Sequence, residues 1–283
     1  MQSARGFEYG VKHIISPMSG LVRDVLLSIS DLDSQQIDFL LNLGAIYLNH
    51  RRLTENSSVS NGDYLRVHTK PRRFPKGDIN FRERVIFEND HFVLVNKPSG
   101  IPVHGSVDNL RENVQSYVEE AVACKLLITH RLDVPTNGLI VYAKTLEFQT
   151  AFNKLLIARE IKKIYRAKVE GQVPDKRILI HYMEPSPRAP KTVASEAKEN
   201  WQECVLEILD SKEISDGAHE LRIHLHTGRT HQIRAQLGFE KAPVMGDHAY
   251  GAKKLWDEEK IELTACELEF TNPLSSESHH FKI

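Results

Sequence analysis

The most restrictive feature of the sequence is a short polar loop between two apolar runs. Residues 126–128 and 139–143 are apolar and predict two strands. The loop between them contains an Asn-Gly pair at 137–138, which favours a turn, and one carboxylate, Asp133, two residues after Arg131. A rigid sheet that presents an acid on a loop is a common arrangement for a catalytic site. From the spacing alone, however, a surface ion pair is the simpler interpretation.

Four ordered segments extend this loop into a more specific pattern. They are NKPSGIPVH at 96–104, THRLDVPTNGLIVYAK at 129–144, KIYRAKVEG at 163–171, and TGRTHQIR at 227–234 with Gly-Asp at 246–247 and Tyr-Gly at 250–251. Together they resemble the motifs of the RluA family of pseudouridine synthases, from about residue 85 to the C-terminus. Four motifs in order are specific, whereas any one alone would be weak. The resemblance implies an isomerase that acts on uridine in RNA.

Many strand patterns and few helix patterns predict an α+β fold. Many short apolar runs and few helical ones follow residue 84, which favours a mixed, mainly antiparallel sheet with flanking helices. The fold of the resembled family agrees. We expect an N-terminal arm at 1–19, a small α+β domain at 20–70, a basic linker at 71–83 and a catalytic domain at 84–283.

The small domain contains a well-marked helix. Asp33 is suited to cap it, apolar residues follow at helical spacing from Ile37, and Gly44 is suited to end it. The segment resembles a small RNA-binding domain with the alpha-L motif that often precedes these synthases. Ser-Gln-Gln at 34–36 replaces the basic run usual at the start of the recognition helix. RNA binding and a purely structural role therefore both remain open for this domain.

The linker region is basic. Residues 66–84 contain seven Lys or Arg and two acids. Such a segment is typical of a solvated, extended connector, and it is equally typical of a strap that contacts phosphates. The sequence does not decide between these two interpretations.

Composition limits the kinds of partner and cellular compartment that suit the chain. The net charge is -1, so a nucleic-acid partner would be held by local basic patches or recognised by its structure. The three cysteines are scattered and odd in number, which favours free thiols in a reducing cytoplasm. We expect no signal peptide, no membrane span and a monomer.

The resemblance assigns three catalytic residues. Asp133 would be the carboxylate that attacks or stabilises the sugar carbon while the N1–C1′ bond breaks. Arg234 would pair with it and oppose the effect of burial on its ionisation, and a lysine there would lose the two-point fork. Tyr165 would provide an aromatic platform for a flipped uracil and could help to remove the C5 proton. The reaction requires no cofactor and no metal.

Five further residues are expected to contact RNA. By resemblance, Arg131 would fill the gap left by the extruded uridine. His130 would orient the loop by hydrogen bonds, and Arg229 could contact a phosphate beside a short helix. Lys163 and Arg166 flank Tyr165 and favour an edge that faces nucleic acid. Large-subunit ribosomal RNA is the expected substrate class, with transfer RNA second.

The sequence departs from the family pattern at three places. Asn137 stands where Ser is usual, Lys241-Ala242-Pro243 where Gly-His-Pro is usual, and Thr264-Ala265 where His-Ala is usual.

Two other functions are also compatible with the residues. A zinc-dependent hydrolase could use His224 and His226, with His231 and Asp247 downstream. A non-catalytic RNA-binding protein could keep the same pocket as a relic.

Overall fold

The computed structural model describes residues 10–175, 177–215, 217–253 and 260–283, which divide into two compact units. Unit 1 comprises the chain up to residue 79 together with His104–Tyr117. Unit 2 comprises Asn80–Val103 and Val118–Ile283. This division differs from the predicted contiguous ranges, because residues 104–117 fold with the small unit and the predicted linker is shared between the two. In the described ranges, no helix is long and apolar enough to cross a membrane.

Unit 1 is built from six short strands and two helices, with a third helix starting in it. The elements are β1 (Val11–Ile15), β2 (Gly20–Leu21), α1 (Val22–Ile29), α2 (Ser34–Leu43), β3 (Ile46–Leu48), β4 (Arg51–Leu53), β5 (Ser58–Val59), β6 (Tyr64–His68) and α3 (Val114–Val122). Four strands form a sheet in the order β1-β6-β3-β4, and β2 pairs with β5. Apolar side chains of α1, α2 and this sheet form the core of the unit.

The helix predicted after Asp33 is confirmed, and its ends are fixed by local chemistry. The Asp33 carboxylate accepts a hydrogen bond from the Gln36 amide at 2.8 Å, and the Gln36 side chain accepts one from the Asp33 amide at 2.9 Å. This reciprocal capping satisfies two free donors of the first turn. Gly44 ends the helix with φ 65°, in the left-handed region.

The predicted N-terminal arm is wrong for its described part. Residues 11–15 form β1 and pair antiparallel with β6, so they belong to the folded unit. Residues 1–9 of the predicted arm lie outside the described residues. The strand was missed because its partner lies about 50 residues away, and isolated alternation over five residues is a weak signal.

Two arginines of the basic linker are engaged inside unit 1. Arg72 donates two side-chain hydrogen bonds to Asp108, at 3.0 and 2.8 Å, and Arg73 donates to Glu112 at 2.6 Å. Burial acts to raise the pKa of Asp108, but the hydrogen bonds from Arg72 lower it well below its usual range. Both guanidinium groups therefore already have a carboxylate partner, and each would have to leave it to bind a phosphate.

In its described residues, unit 2 contains one large sheet, two α-helices and a 3-10 turn in addition to the end of α3. The elements are β7 (Val85–Glu88), β8 (Phe92–Lys97), β9 (Leu127–Ile128), β10 (Asn137–Ala143), α4 (Leu146–Ala158), β11 (Lys162–Glu170), β12 (Ile178–Met183), β13 (Val193–Ala194), β14 (Gln202–Ser215), β15 (Ala218–Leu225), α5 (Gln232–Phe239), a 3-10 turn (His248–Tyr250), β16 (Leu263–Thr271) and β17 (Ser278–Lys282).

The sheet of unit 2 has 11 strands, in the order β13-β12-β14-β15-β11-β16-β10-β8-β7, with β17 paired to β16 and β9 to β10. In the described residues, its strand pairs are antiparallel except for β10 with β16, which run parallel. The predicted α+β fold with a mixed, mainly antiparallel sheet is confirmed. One face of the central strands packs against α4 through a cluster of phenylalanines that includes Phe92, Phe148, Phe152 and Phe270.

Gly138 is required where β10 meets β16. Its φ is +117°, and a Cβ atom at this position would lie 2.3 Å from the carbonyl oxygen of Ala265. That contact is with backbone, so it cannot be relieved by rotating a side chain. The glycine therefore permits the close parallel pairing directly after the Asp133 loop.

We expect Gly138→Ala to destabilise the protein by about 3 kcal/mol, because it adds both a backbone clash and an unfavourable φ. Gly251→Ala is the matched control, since Gly251 has φ +98° with nothing within 4 Å of the added Cβ. It should cost only about 1 kcal/mol. Denaturant unfolding followed by circular dichroism measures both. Equal losses for the two variants would contradict the close approach.

Candidate active site

The loop that carries Asp133 is clamped by the segment that follows β8. The buried Lys97 ammonium donates hydrogen bonds to the carbonyl oxygens of Pro98, Val134 and Thr136, at 2.9, 3.0 and 2.7 Å. The three N–H groups of the ammonium thus meet three acceptors. Burial lowers the pKa of Lys97 to about 7, while the charge of Asp133 acts in the opposite direction. The first motif in the sequence therefore fixes the backbone of the acidic loop.

Two more contacts join the same two segments. The Ser99 hydroxyl donates to the Pro135 carbonyl at 2.7 Å, and the Gly100 amide donates to the Val134 carbonyl at 2.9 Å. Asp133 itself is partly exposed, with 18% of its side chain accessible. The carboxylate is thus held on a fixed backbone while remaining open to a substrate.

Arg234 joins Asp133 to a second carboxylate. Its Nε and Nη2 atoms donate to the two oxygens of Asp247 at 2.6 and 2.9 Å, and its Nη1 donates to Asp133 Oδ2 at 3.2 Å. Burial acts to lower the pKa of Arg234, but the hydrogen bonds and charge of Asp247, and then Asp133, raise it. The guanidinium is therefore a permanent cation whose orientation is set by Asp247.

The helix that carries Arg234 is anchored by buried polar side chains. Gln232, at the first turn of α5, accepts from the Thr227 hydroxyl at 2.8 Å and donates to Gln236 at 2.9 Å. The Gln236 amide in turn lies 2.9 Å from the His181 ring. These contacts fix the rotation of α5, and so direct Arg234 towards Asp133. These residues were not predicted from the sequence, although two glutamines at i, i+4 in a short helix with few other polar residues indicate buried pairing.

His231 is a further neighbour of the Asp133 carboxylate. It was not predicted as part of this site from the sequence. Its Nε2 lies 3.8 Å from Asp133 Oδ2, and its Nδ1 lies 2.9 Å from the hydroxyl of Tyr250. The residue has φ 59°, in the left-handed region, where the chain enters α5. Burial lowers the pKa of His231, although the Asp133 charge opposes this effect.

Tyr165 lies on β11 and is 7% exposed. Burial raises the pKa of its phenol, and the charge of Asp133 raises it further. The phenol therefore stays neutral at ordinary pH, with the Asp133 carboxylate in its electrostatic environment. The structure thus brings together the three predicted catalytic side chains, Asp133, Arg234 and Tyr165.

The two basic residues before Asp133 differ in exposure. Arg131 is exposed, and its Nη2 donates to the Thr230 hydroxyl at 3.2 Å. His130 is partly buried, and its Nε2 accepts a hydrogen bond from the Val141 amide at 3.2 Å. Burial lowers the pKa of His130 to about 3, with the Lys163 charge acting in the same direction. His130 is thus a neutral ring that braces the loop, and Arg131 is placed to meet a ligand.

The remaining three candidates do not all share one face of the sheet. Lys163 and Tyr165 are two residues apart on β11 and point to the same face, whereas Arg166 points to the other. Lys163 is partly buried, and its ammonium lies beside Gly228. Arg229 is exposed before α5. The structure therefore separates Arg166 from Asp133, because strand alternation places neighbouring side chains on opposite faces.

Two of the departures from the family pattern, Asn137 and Thr264, contact each other. The Thr264 hydroxyl donates to the Asn137 side-chain oxygen at 3.1 Å, and the two residues are paired where β10 runs beside β16. The changes at these positions are therefore compatible as a pair. The alternative zinc site is not assembled as predicted, because Asp247 binds Arg234 and His231 lies beside Asp133, whereas His224 and His226 lie with Glu207.

We expect Tyr165→Phe to leave the alkaline absorbance titration of the folded protein unchanged up to about pH 11, because a raised pKa keeps this phenol protonated beyond the ordinary value of about 10. The measurement is tyrosinate absorbance against pH. In denaturant, the variant should lose one of the eight tyrosine signals, which is the control. Loss of that signal in the folded state below about pH 11 would contradict the burial argument.

Comparisons with known proteins show which family the chain resembles. Residues 91–238 match the family model described as RNA pseudouridylate synthase. The chain is 35% identical over 218 residues to RNA pseudouridine synthase 6, chloroplastic, of Arabidopsis thaliana, covering 69% of this chain and 46% of that protein. It is 28% identical over 236 residues to Ribosomal large subunit pseudouridine synthase C of Buchnera aphidicola, covering 76% and 72%.

A solved structure, Human RNA Pseudouridylate Synthase Domain Containing 4, superposes with a TM-score of 0.56 at 20% identity, over 72% of this chain and 88% of that one. This likeness supports the fold. The chain spans about half the length of the plant relatives that it matches. The family model nevertheless covers more than half of this chain and includes the Asp133 loop, Tyr165 and Arg234. The chain therefore belongs to the RluA family of RNA pseudouridine synthases.

Proposed function

We propose that this protein isomerises specific uridines in structured RNA to pseudouridine. The observation that supports this most directly is the partly exposed Asp133 carboxylate, which has the oriented guanidinium of Arg234 at 3.2 Å and Tyr165 in its environment. In the reaction, the N1–C1′ bond breaks, the uracil turns, a C5–C1′ bond forms, and the proton on C5 leaves as N1 gains one. Atoms and electrons balance within the substrate, so the chemistry calls for no redox partner.

Asp133 is proposed to act at the sugar carbon. A carboxylate can add to C1′ or stabilise positive charge there as the glycosidic bond breaks, in the manner of glycoside hydrolysis. Either route needs the ionised form, and Arg234 supplies a permanent positive charge beside it. Because Asp247 accepts hydrogen bonds from Nε and Nη2 of Arg234, the charge does not depend on a mobile side chain.

Tyr165 is proposed to be a platform for the uracil. Its pKa is raised by burial and then by Asp133, which disfavours a phenolate in the free protein. A neutral phenol can still stack on a flipped base and donate a hydrogen bond. Removal of the C5 proton by Tyr165 would require its environment to change when RNA binds.

Arg131 is proposed to replace the flipped uridine in the RNA stack. Extruding a base costs a few kcal/mol, and a planar cation next to the carboxylate can occupy the gap. The side chain is exposed and donates a hydrogen bond to Thr230, in the segment that precedes α5. Arg229 and Lys163 are proposed to hold neighbouring phosphates, whereas Arg166 on the opposite face is a weaker candidate.

Large-subunit ribosomal RNA is our proposed substrate class, with transfer RNA second. The name of the Buchnera relative specifies the large ribosomal subunit. The net charge of -1 argues against binding by a general basic field, so recognition is proposed to rest on RNA shape and single-stranded loops. The plant relatives' names specify no RNA class.

For unit 1 we propose a mainly structural role. Arg52 donates to the carbonyl oxygens of Gly44 and Ser106, and Arg66 lies 4.1 Å from the centre of the Tyr47 ring. These two cations are used within the unit, while Arg51 remains exposed.

We further propose that the protein is a monomer. We also propose a location in the cytoplasm, which the free state of Cys124, Cys204 and Cys266 supports.

We expect Asp133→Asn to reduce turnover by about a thousandfold or more while leaving RNA binding nearly intact, because the amide keeps the shape but loses the charge. The assay is tritium release from RNA labelled at uridine C5, taken from cells that lack this protein. Separate ribosomal and transfer RNA pools identify the substrate class.

Asp210→Asn is the control, since Asp210 is exposed on β14. It should retain full release. Substantial release by Asp133→Asn would refute the assigned role. Binding without release by the unaltered protein, on every pool, would favour a non-catalytic RNA-binding protein instead.

We expect Arg131→Ala to slow turnover on a folded RNA by about tenfold, and by much less on an unstructured fragment that contains the same uridine, because only the folded RNA requires a base to be extruded from a stack. The matched control is Arg166→Ala, which removes an equally exposed arginine from the opposite face. Single-turnover rates on the two RNAs provide the comparison. An equal loss on both RNAs, or a larger loss for Arg166→Ala, would argue against base replacement by Arg131.

A further inference from the structure

Two histidines and a glutamate converge on the face of the sheet that is opposite Tyr165. His224 on β15 pairs with Glu207 on β14, and His226 follows two residues later on the same face. The Glu207 Oε2 atom lies 3.2 Å from His226 Nε2 and 3.8 Å from His224 Nδ1. The two ring centroids are 4.0 Å apart. We call this set the Glu207 cluster.

The Glu207 cluster is separate from the candidate active site. Tyr165 pairs with Ile223, and His224 is the next residue along β15, so the two side chains lie on opposite faces. The carboxylates of the active site have their own partners in Arg234 and His231. A ligand at the Glu207 cluster would therefore not need to enter the uridine pocket.

The spacing of the donor atoms suits one metal ion. One ring nitrogen from each histidine and one carboxylate oxygen all lie within 4.8 Å of one another. Zinc binds imidazole nitrogen and carboxylate oxygen at about 2.0–2.2 Å, which places tetrahedral ligands about 3.3 Å apart. The Glu207–His226 separation already matches, and rotation of exposed side-chain bonds can close the rest. A water molecule would complete the four ligands.

The chemistry and the accessibility of the donors are also suitable. Imidazole nitrogen and carboxylate oxygen are both ligands that zinc takes in proteins. The positive charges of Lys162 and Lys163 oppose the binding of a cation here. Lys162 lies 3.6 Å from Glu269, which offsets part of its charge. All three donors are only partly buried, so an ion can reach them from solvent.

We propose that Glu207, His224 and His226 form a site for one borderline divalent metal ion, with Zn²⁺ as the best fit. Imidazole with one carboxylate favours zinc over magnesium or calcium, which prefer oxygen ligands alone. The site has a positional consequence, because His226 directly precedes the segment 227–231 that leads into α5. A bound ion would fix the start of that segment to β14, in addition to the hydrogen bond from the His226 amide to Val205 at 3.2 Å.

The test measures metal binding directly on the full chain after treatment with a chelator. Co²⁺ is titrated and followed by its visible absorption, and Zn²⁺ is titrated by calorimetry. We expect one equivalent of each metal to bind, and a higher Tm with Zn²⁺. His226→Gln and Glu207→Gln should each weaken binding by about 100-fold or more, because each removes a direct ligand. Circular dichroism of the metal-free variants checks that they fold.

His280→Gln is the matched control, because His280 is an exposed histidine 3.6 Å from Glu267, while its neighbour on the strand, His279, is buried. It should bind Zn²⁺ and Co²⁺ as the unaltered protein does. The proposal is overturned if the unaltered protein binds Zn²⁺ and Co²⁺ no more tightly than the His226→Gln variant does. It is also overturned if His280→Gln loses as much metal affinity as the cluster variants. Should one cluster variant fail to fold, the other decides.

Discussion

The buried fork of Arg234 is the interaction on which the site depends. A guanidinium with low solvent access is costly unless its donors are satisfied, and here three donors meet two carboxylates. Asp247 accepts hydrogen bonds from Nε and Nη2 and so determines the orientation of the guanidinium, while Nη1 donates to Asp133. Removing either carboxylate would leave the cation partly unpaired. The arrangement thus couples the chemistry of Asp133 to the correct placement of a helix and of a segment near residue 247.

The second constraint is the ammonium of Lys97, which acts from the other side of the acidic loop. Arg234 contacts the Asp133 side chain, whereas Lys97 contacts the backbone around it. The two cations come from segments that are more than 130 residues apart in sequence. Both are positioned by the large sheet, Lys97 at the end of β8 and Arg234 through α5 packed near β14. The loop can therefore remain partly open without being mobile.

The sequence predicted the features that nearby residues determine, and it did not predict those that depend on contacts between distant segments. The helix after Asp33 was predicted because its cap, apolar spacing and final glycine lie within about a dozen residues. The strand at 11–15 and the partners of Arg72 and Arg73 were not, because each requires a contact with a distant segment. In the site, the motifs grouped Asp133, Tyr165 and Arg234, but only coordinates could place Arg166 on the other face or His231 beside the acid. The sequence likewise did not predict the hydrogen bond between Asn137 and Thr264, because it forms only when β10 pairs with β16.

The assignment of residues 104–117 to unit 1 has a consequence for dissecting the protein. The chain passes from one unit to the other three times, so a single cut in the basic segment does not release two complete halves. A fragment that begins at residue 84 would still carry Asp108 and Glu112, but without the arginines that neutralise them. Those carboxylates would gain water and lose their partners, and the loop that bears them would lack its folded support. The two units are therefore not interchangeable modules, and domain exchange between relatives would have to move two separate stretches of sequence together.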